Sequence, residues 1–228
     1  MNTNSAPTAP AIDRQSSSVV PTRTLLIAGS AVGPIFAAVA TAQVLLRDGF
    51  DLRRHPLSQL ATGDLGFVQI ANFIVAGLGV LCLAVGVRRA VTDGVGRRWL
   101  ARLIAVFGLG LIASGVFVMD PENGFPLGTP DGPAAVKSWH GFAHLVAATV
   151  AFTGLAAASI VLTVRMARRR NVLAALLNAG AALIFLAPVH PAWMSIQVAI
   201  NALVAFTWTT AVAVWLLRSG HGGERSRA

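Results

Sequence analysis

Charge is scarce in this chain. Of its 228 residues only 12% are Asp, Glu, Lys or Arg, whereas 55% are hydrophobic. A soluble domain carries about 25% charged residues. So little polarity does not cover the apolar surface of a water-soluble fold, and the solvent that fits this composition is lipid. Cysteine is nearly missing as well. The single Cys82 excludes an intrachain disulfide framework and a thiolate zinc cluster, and its place inside an apolar run makes it a packing residue. Lysine occurs once, at Lys137, and acids number nine, so the 17 arginines dominate and the net charge is +9. In a soluble protein that excess points to nucleic acid. In a chain this apolar it reads as basic loops on one side of a bilayer, and no nucleic-acid partner is expected. No segment reads as a β-strand, and there is no internal repeat.

Long apolar runs are what the sequence has in abundance. They cover residues 24–46, 67–87, 100–119, 141–164, 172–187 and 194–217. A helix rises 1.5 Å per residue, so about 20 residues cross the hydrocarbon. Five runs reach that length. The fifth has 16 residues and stops at Pro188-Val189-His190-Pro191, which predicts a helix ending inside the outer leaflet or finished by a short irregular turn. The expected fold is an all-α integral membrane bundle of six transmembrane helices over residues 23–217. A disordered N-tail (1–22) and a C-tail (218–228) flank it. Ala40-Thr41-Ala42 resembles a signal-peptidase site, but the apolar run continues through Leu46, so the first run is read as a retained span.

Counting charges by side gives the expected orientation. The N-tail, the loops around 88–98 and 165–171, and the C-tail hold 14 of the 18 basic residues and three acids, a balance of +11. The opposite side holds Arg47, Arg53, Arg54 and Lys137 against six acids, a balance of −2. The basic side is expected to be cytoplasmic, with both termini inside and the chain in the plasma membrane.

The candidate chemistry gathers at the outer side. His55, His140, His144 and His190 lie at outer span ends or in outer loops, with Asp64 and Asp120 beside them. His221 is in the C-tail. Gln43, Gln69, Asn72, Gln197 and Asn201 add buried amides near the same ends, whereas the inner half offers mainly Asn178. Polar groups in lipid need a partner or a cavity. The pattern predicts a bundle packed tightly below, with a polar cup open to the outside. Structural roles compete with chemical ones. Asp64 suits a cap on the second span, and Asp120-Pro121 with Asn123-Gly124 suits a turn after the third. Glycines at 77, 79 and 86 and at 108, 110 and 115 suit close helix contact.

The sharpest local signal is His140-Gly141-Phe142-Ala143-His144. Histidines four apart share a helix face, so both rings can reach one metal ion. A zinc site would need a third ligand from His190, His55 or Asp120. Asp120 or Asp64 would take a proton from metal-bound water, and Ser58 would polarise a substrate carbonyl. Three further chemistries are compatible with the residues. Haem would use two histidines such as His144 and His190. Calcium would use the loop Asp120-Pro121-Glu122-Asn123-Gly124. A Ser-His-Asp triad would use Ser58, His55 and Asp64.

Three stretches together resemble a known family. They are His55-Pro56-Leu57-Ser58-Gln59-Leu60 with Gly63-Asp64-Leu65-Gly66-Phe67-Val68-Gln69, then Phe117-Val118-Met119-Asp120-Pro121 with Gly124-Phe125-Pro126, and finally His140-Gly141-x-x-His144. The family is that of domain of unknown function 998, with Phe67 standing where Trp is expected. The resemblance covers roughly residues 24–217 and implies a prokaryotic multi-pass membrane protein without an established activity. It singles out His55, Ser58, Asp64, Asp120, His140 and His144. In residue types alone the cluster is also similar to the alkaline ceramidase and adiponectin-receptor hydrolases, which place three His, an Asp and a Ser around zinc. Those have seven spans with the HxxxH pair on the last, whereas here the pair opens the fourth. The leading expectation is a zinc-dependent hydrolase-like site for a lipid or amphiphile at the outer face. The alternatives are a non-enzymatic protein that binds a small molecule, lipid or partner in the polar cup, and a haem electron-transfer protein.

Overall fold

The computed structural model describes residues 20–225, with side chains described as far as Ser219. The proposed N-tail up to residue 19 and the side chain of His221 lie outside the described residues. Among the described residues six α-helices follow one another: α1 (Thr22–Leu46), α2 (Gly66–Ala90), α3 (Leu100–Val116), α4 (Trp139–Arg168), α5 (Val172–Leu186) and α6 (Met194–Arg225). Two short 3₁₀ turns, Leu57–Ala61 and Pro191–Trp193, interrupt the connections. No strand is present among the described residues. Four helices, α1, α2, α4 and α6, are long and apolar enough to cross a membrane. The other two are apolar but short: at 17 and 15 residues, α3 and α5 extend about 26 and 22 Å. The expected stop of the fifth run before Pro188 is met, since α5 ends at Leu186 and a 3₁₀ turn begins at Pro191.

Each helix packs chiefly on its neighbours in sequence, and α6 returns to α1, while α5 and α6 barely touch. The bundle is therefore a ring with a seam between α5 and α6. One hydrogen bond bridges that seam, from Trp208 Nε1 to Asn178 Oδ1 at 2.8 Å. This gives the isolated inner-half amide its partner, as a polar group in an apolar surrounding requires. At the centre, Phe36, Phe73, Phe107 and Phe206 from α1, α2, α3 and α6 form a buried aromatic cluster, with Phe36 stacked on Phe206 at 4.4 Å between centroids.

Two crossings set the geometry around the site. Pro34 lies inside α1 and has no N–H to donate to the Ser30 carbonyl. Thr210 of α6 supplies the missing donor, its hydroxyl lying 3.2 Å from Ser30 O. Beside it Gly33 lets α6 approach: a Cβ there would sit 3.0 Å from the Phe206 carbonyl. At the second crossing, α2 and α3 meet through Gly77 and Gly108. A Cβ on Gly77 would lie 2.6 Å from the Gly108 carbonyl, and one on Gly108 would lie 2.9 Å from the Gly77 carbonyl. Both obstacles are backbone, which cannot rotate away. Gly108→Ala is accordingly expected to lower stability by about 1–3 kcal/mol. Thermal unfolding in detergent, followed by tryptophan fluorescence, measures it. An unchanged midpoint would show that the two helices have slack at this crossing.

Candidate functional site

The helix ends divide the molecule into an arginine-rich end and an end closed by the α1–α2 and α3–α4 connections. At the second end the polar residues do not line an open cup. They interlock into a lid. His55 is almost fully buried, and both of its ring nitrogens are used by the backbone. The Asp51 N–H donates to Nδ1 at 2.9 Å, so Nε2 carries the proton and donates to the Asn123 carbonyl, also at 2.9 Å. Gln59, fully buried, donates through Nε2 to the carbonyls of Glu122 and Phe125. Arg47 follows α1 and clamps the first 3₁₀ turn, donating to Leu60 O at 2.7 Å and Thr62 O at 2.9 Å, with its guanidinium 4.8 Å from the centre of the Phe125 ring. Burial pushes the Arg47 pKa down and the charge of Asp64 opposes the shift, yet an arginine stays charged throughout the usable pH range. From the far side of the loop, Lys137 reaches the buried Glu122 carboxylate at 2.6 Å.

The turn expected at Asn123-Gly124 is present, with φ of +58° and +87°. These two residues aim the Asn123 carbonyl at His55. The polar density read as a cup is thus the set of partners that a long loop needs when it is folded down over the bundle: buried backbone groups must be hydrogen-bonded.

Asp120 and Asp64 differ sharply. The Asp120 carboxylate accepts the Ser138 N–H at 3.0 Å and lies against the first turn of α4. Gly141 is the reason it fits, because a Cβ there would meet Asp120 Oδ2 at 2.3 Å. A carboxylate at a helix N-terminus is favourable in charge as well. Asp64 is exposed and does not cap α2; the residue at that position is Leu65, which makes no side-chain cap. The helix start is held instead by the Gly66 N–H bonding to Gly63 O.

The four histidines are not brought to one point. His55 has no free nitrogen lone pair. His140 is exposed and stacks on Trp139, with centroids 3.6 Å apart. His190 is exposed, and its Nδ1 accepts the Ala192 N–H at the start of the second 3₁₀ turn. His144 is buried against the end of α3, where Nδ1 lies 2.8 Å from Phe117 O and 3.1 Å from Ser114 O. Among the described residues no three His, Cys, Asp or Glu side chains group as metal ligands. The Ser58–His55–Asp64 arrangement likewise does not form, because both His55 nitrogens are taken.

Two of the sequence-predicted residues, His144 and Ser58, line the same small chamber. Both carbonyls facing His144 Nδ1 are acceptors, so that nitrogen carries a proton and the neutral ring keeps its lone pair on Nε2. No hydrogen bond is formed by Nε2 or by the Ser58 hydroxyl among the described residues, though neither is among the fully buried orphaned atoms, which at this end are Gln43 Oε1, Gln59 Oε1 and Gln69 Nε2. The chamber has a volume of about 60 Å³, and its other wall residues include Phe36, Phe73, Phe107 and Phe206. Outside it, between α1 and α6, lies an apolar groove of about 560 Å³. Its deep end is the Gly33–Thr210 crossing, and Leu52 and Leu57 of the lid close its other end. Chamber and groove share Phe36, Leu57, Ala202 and Phe206 as a common wall.

The groove escapes a search for polar motifs because it is made of small residues. Its signal in the sequence is Gly33, Ala37 and Ala40 on α1 opposite Ala199 and Ala202 on α6, spaced three and four apart so that each set lies on one helix face.

Comparison with known proteins places the chain in a family. Residues 30–217, which hold the lid, chamber and groove, match the family described as Protein of unknown function (DUF998). Searches of curated proteins and of solved structures each found no match. The match covers most of the chain, and the resemblance carried by the His55–Gln69, Phe117–Pro126 and His140–His144 stretches is thereby upheld: this chain belongs to the DUF998 family.

Proposed function

We propose that this protein is a six-span membrane protein, its arginine-rich end in the cytoplasm, that binds a single-chain amphiphile between α1 and α6. The apolar chain lies in the groove and the polar end turns under the lid toward Ser58 and His144. One observation carries this reading: the apolar groove and the chamber with two unpartnered polar groups share a wall. From Gly33 to Val44 the groove follows about 16 Å of helix, a length suited to an acyl chain. A volume of about 560 Å³ is within the range of ligand sites. Titrating the detergent-purified chain with a fluorescent fatty acid is expected to give saturable one-to-one binding. Non-saturable partition alone would contradict the proposal.

The placing of Ser58 and His144 on one chamber favours a second reading, in which the bound amphiphile is an ester and is hydrolysed. The Ser58 oxygen would attack the acyl carbon while its proton passes to His144 Nε2 and then to the departing alcohol. Water would cleave the acyl-serine, again through Nε2. The carbonyls of Ser114 and Phe117 would hold the ring in the required tautomer, the part a carboxylate plays in a triad. A fluorophosphonate probe separates the readings. Hydrolytic chemistry predicts labelling of Ser58 that is lost in His144→Gln; an unlabelled Ser58 leaves the protein as a binder only.

A further inference from the structure

At the arginine-rich end another cavity, lined by arginines, has no part in the proposed function. Its volume is about 270 Å³, the space of roughly nine waters. It lies between the α2–α3 connection and the last turn of α4, lined by Asp93, Gly94, Val95, Arg165, Arg168 and Arg169. Arg165 is the built part. It is only 6% exposed, and it holds the connection by donating through Nη1 to Asp93 O and Val95 O, both at 2.7 Å, and through Nη2 to the Asp93 carboxylate at 3.1 Å. Its buried Nε–H has no partner among the described residues. Arg169 lies 3.9 Å from the same carboxylate, and Arg168 is exposed with no ion-pair partner among the described residues. Three arginines and one carboxylate thus line the cavity, a local excess of two positive charges. The carbonyl end of α4 offsets about half a charge of this and leaves most of it.

The level of the cavity is marked by Trp99. This indole is 59% exposed at the start of α3, with the Arg102 guanidinium 5.4 Å from its ring. An exposed tryptophan beside arginine at the end of an apolar helix is the pattern of the headgroup layer. Basic pockets between spans at the cytoplasmic surface suit anionic headgroups.

We infer that the cavity bounded by Arg165, Arg168 and Arg169 is a phosphate site, filled by the headgroup phosphate of an anionic phospholipid or by free phosphate. Arg165 is committed to the fold and shapes the floor; Arg168 and Arg169 make the contacts. The inference is independent of the groove. Native mass spectrometry of the delipidated full chain tests it, with phosphatidylglycerol, phosphatidylcholine and inorganic phosphate as probes. Arg168→Gln/Arg169→Gln is the variant, since both side chains are exposed and leave the Arg165 clamp in place. The site predicts phosphatidylglycerol retained over phosphatidylcholine and weakened roughly tenfold or more in the double variant. If inorganic phosphate binds and displaces the lipid, the natural ligand is the free anion; if it does not, the ligand is the headgroup. Equal retention of the two lipids, or retention unchanged in the variant, with no binding of phosphate, overturns the inference.

Discussion

His55→Ala is expected to destabilise the folded chain by roughly 3–5 kcal/mol. The replacement orphans two partly buried backbone groups, the Asp51 N–H and the Asn123 carbonyl, each costing at most about 1–3 kcal/mol when left unpaired. It also empties the space between Phe50 and Phe125, whose rings lie 5.4 Å from the imidazole centre. His55→Phe keeps much of the packing and is expected to lose only the hydrogen-bond share. Arg54→Ala serves as the control in the same lid: its ion pair with Asp131 is exposed, and such pairs contribute about 0–1 kcal/mol. Chemical denaturation in detergent ranks the three. A His55→Ala loss no larger than that of Arg54→Ala contradicts the structural role assigned to His55.

The second large effect is on binding. Ala202 belongs to the wall common to groove and chamber. An indole at that position fills space from both sides of the wall, so Ala202→Trp is expected to weaken fatty-acid binding at least tenfold, about 1.4 kcal/mol. Because Ala202 is not fully buried, the bulk has somewhere to go and the fold is expected to persist. Leu183→Trp is the comparison. That side chain is 71% exposed on α5, away from the groove, and its replacement is expected to leave binding unchanged. Equal affinity in wild type and Ala202→Trp would mean that the ligand sits elsewhere.

The helices were legible because each is announced by an apolar run bounded by proline, glycine or charge. The six runs agree with the observed helices to within a few residues over most of their ends. The longest departure is α6, which continues past 217 to Arg225; α4 also continues past Val164 to Arg168, where Arg165 turns back to hold Asp93 and Val95. Glycine contacts were legible for a similar reason, since Gly77 and Gly108 have few other uses on apolar helices.

The candidate site was legible only in part. Polar residues were expected to gather at one end, but sequence spacing does not tell a ligand from a hydrogen-bond partner. His140 and His144 share a helix yet have opposite surroundings, one exposed on Trp139 and the other buried on α3. Gly141 lies between the two histidines in sequence, and the space its missing side chain leaves is taken by Asp120, twenty-one residues earlier in the chain. That contact is set by how a long loop returns to the bundle. That Ser58 and His144 line one chamber follows from how the α1–α2 connection lies over the bundle, and no periodicity announces it.

The most direct measurement for amphiphile binding between α1 and α6 is photo-crosslinking. The full chain is incubated with a diazirine-bearing fatty acid, irradiated, digested and mapped by mass spectrometry. The account predicts labels concentrated within residues 33–44 of α1 and 199–210 of α6, competed by unlabelled fatty acid and reduced in Ala202→Trp. Labels spread over the exposed apolar faces, such as Leu173, Leu176 and Leu183 of α5, and insensitive to competitor and to the Ala202 substitution, would contradict it.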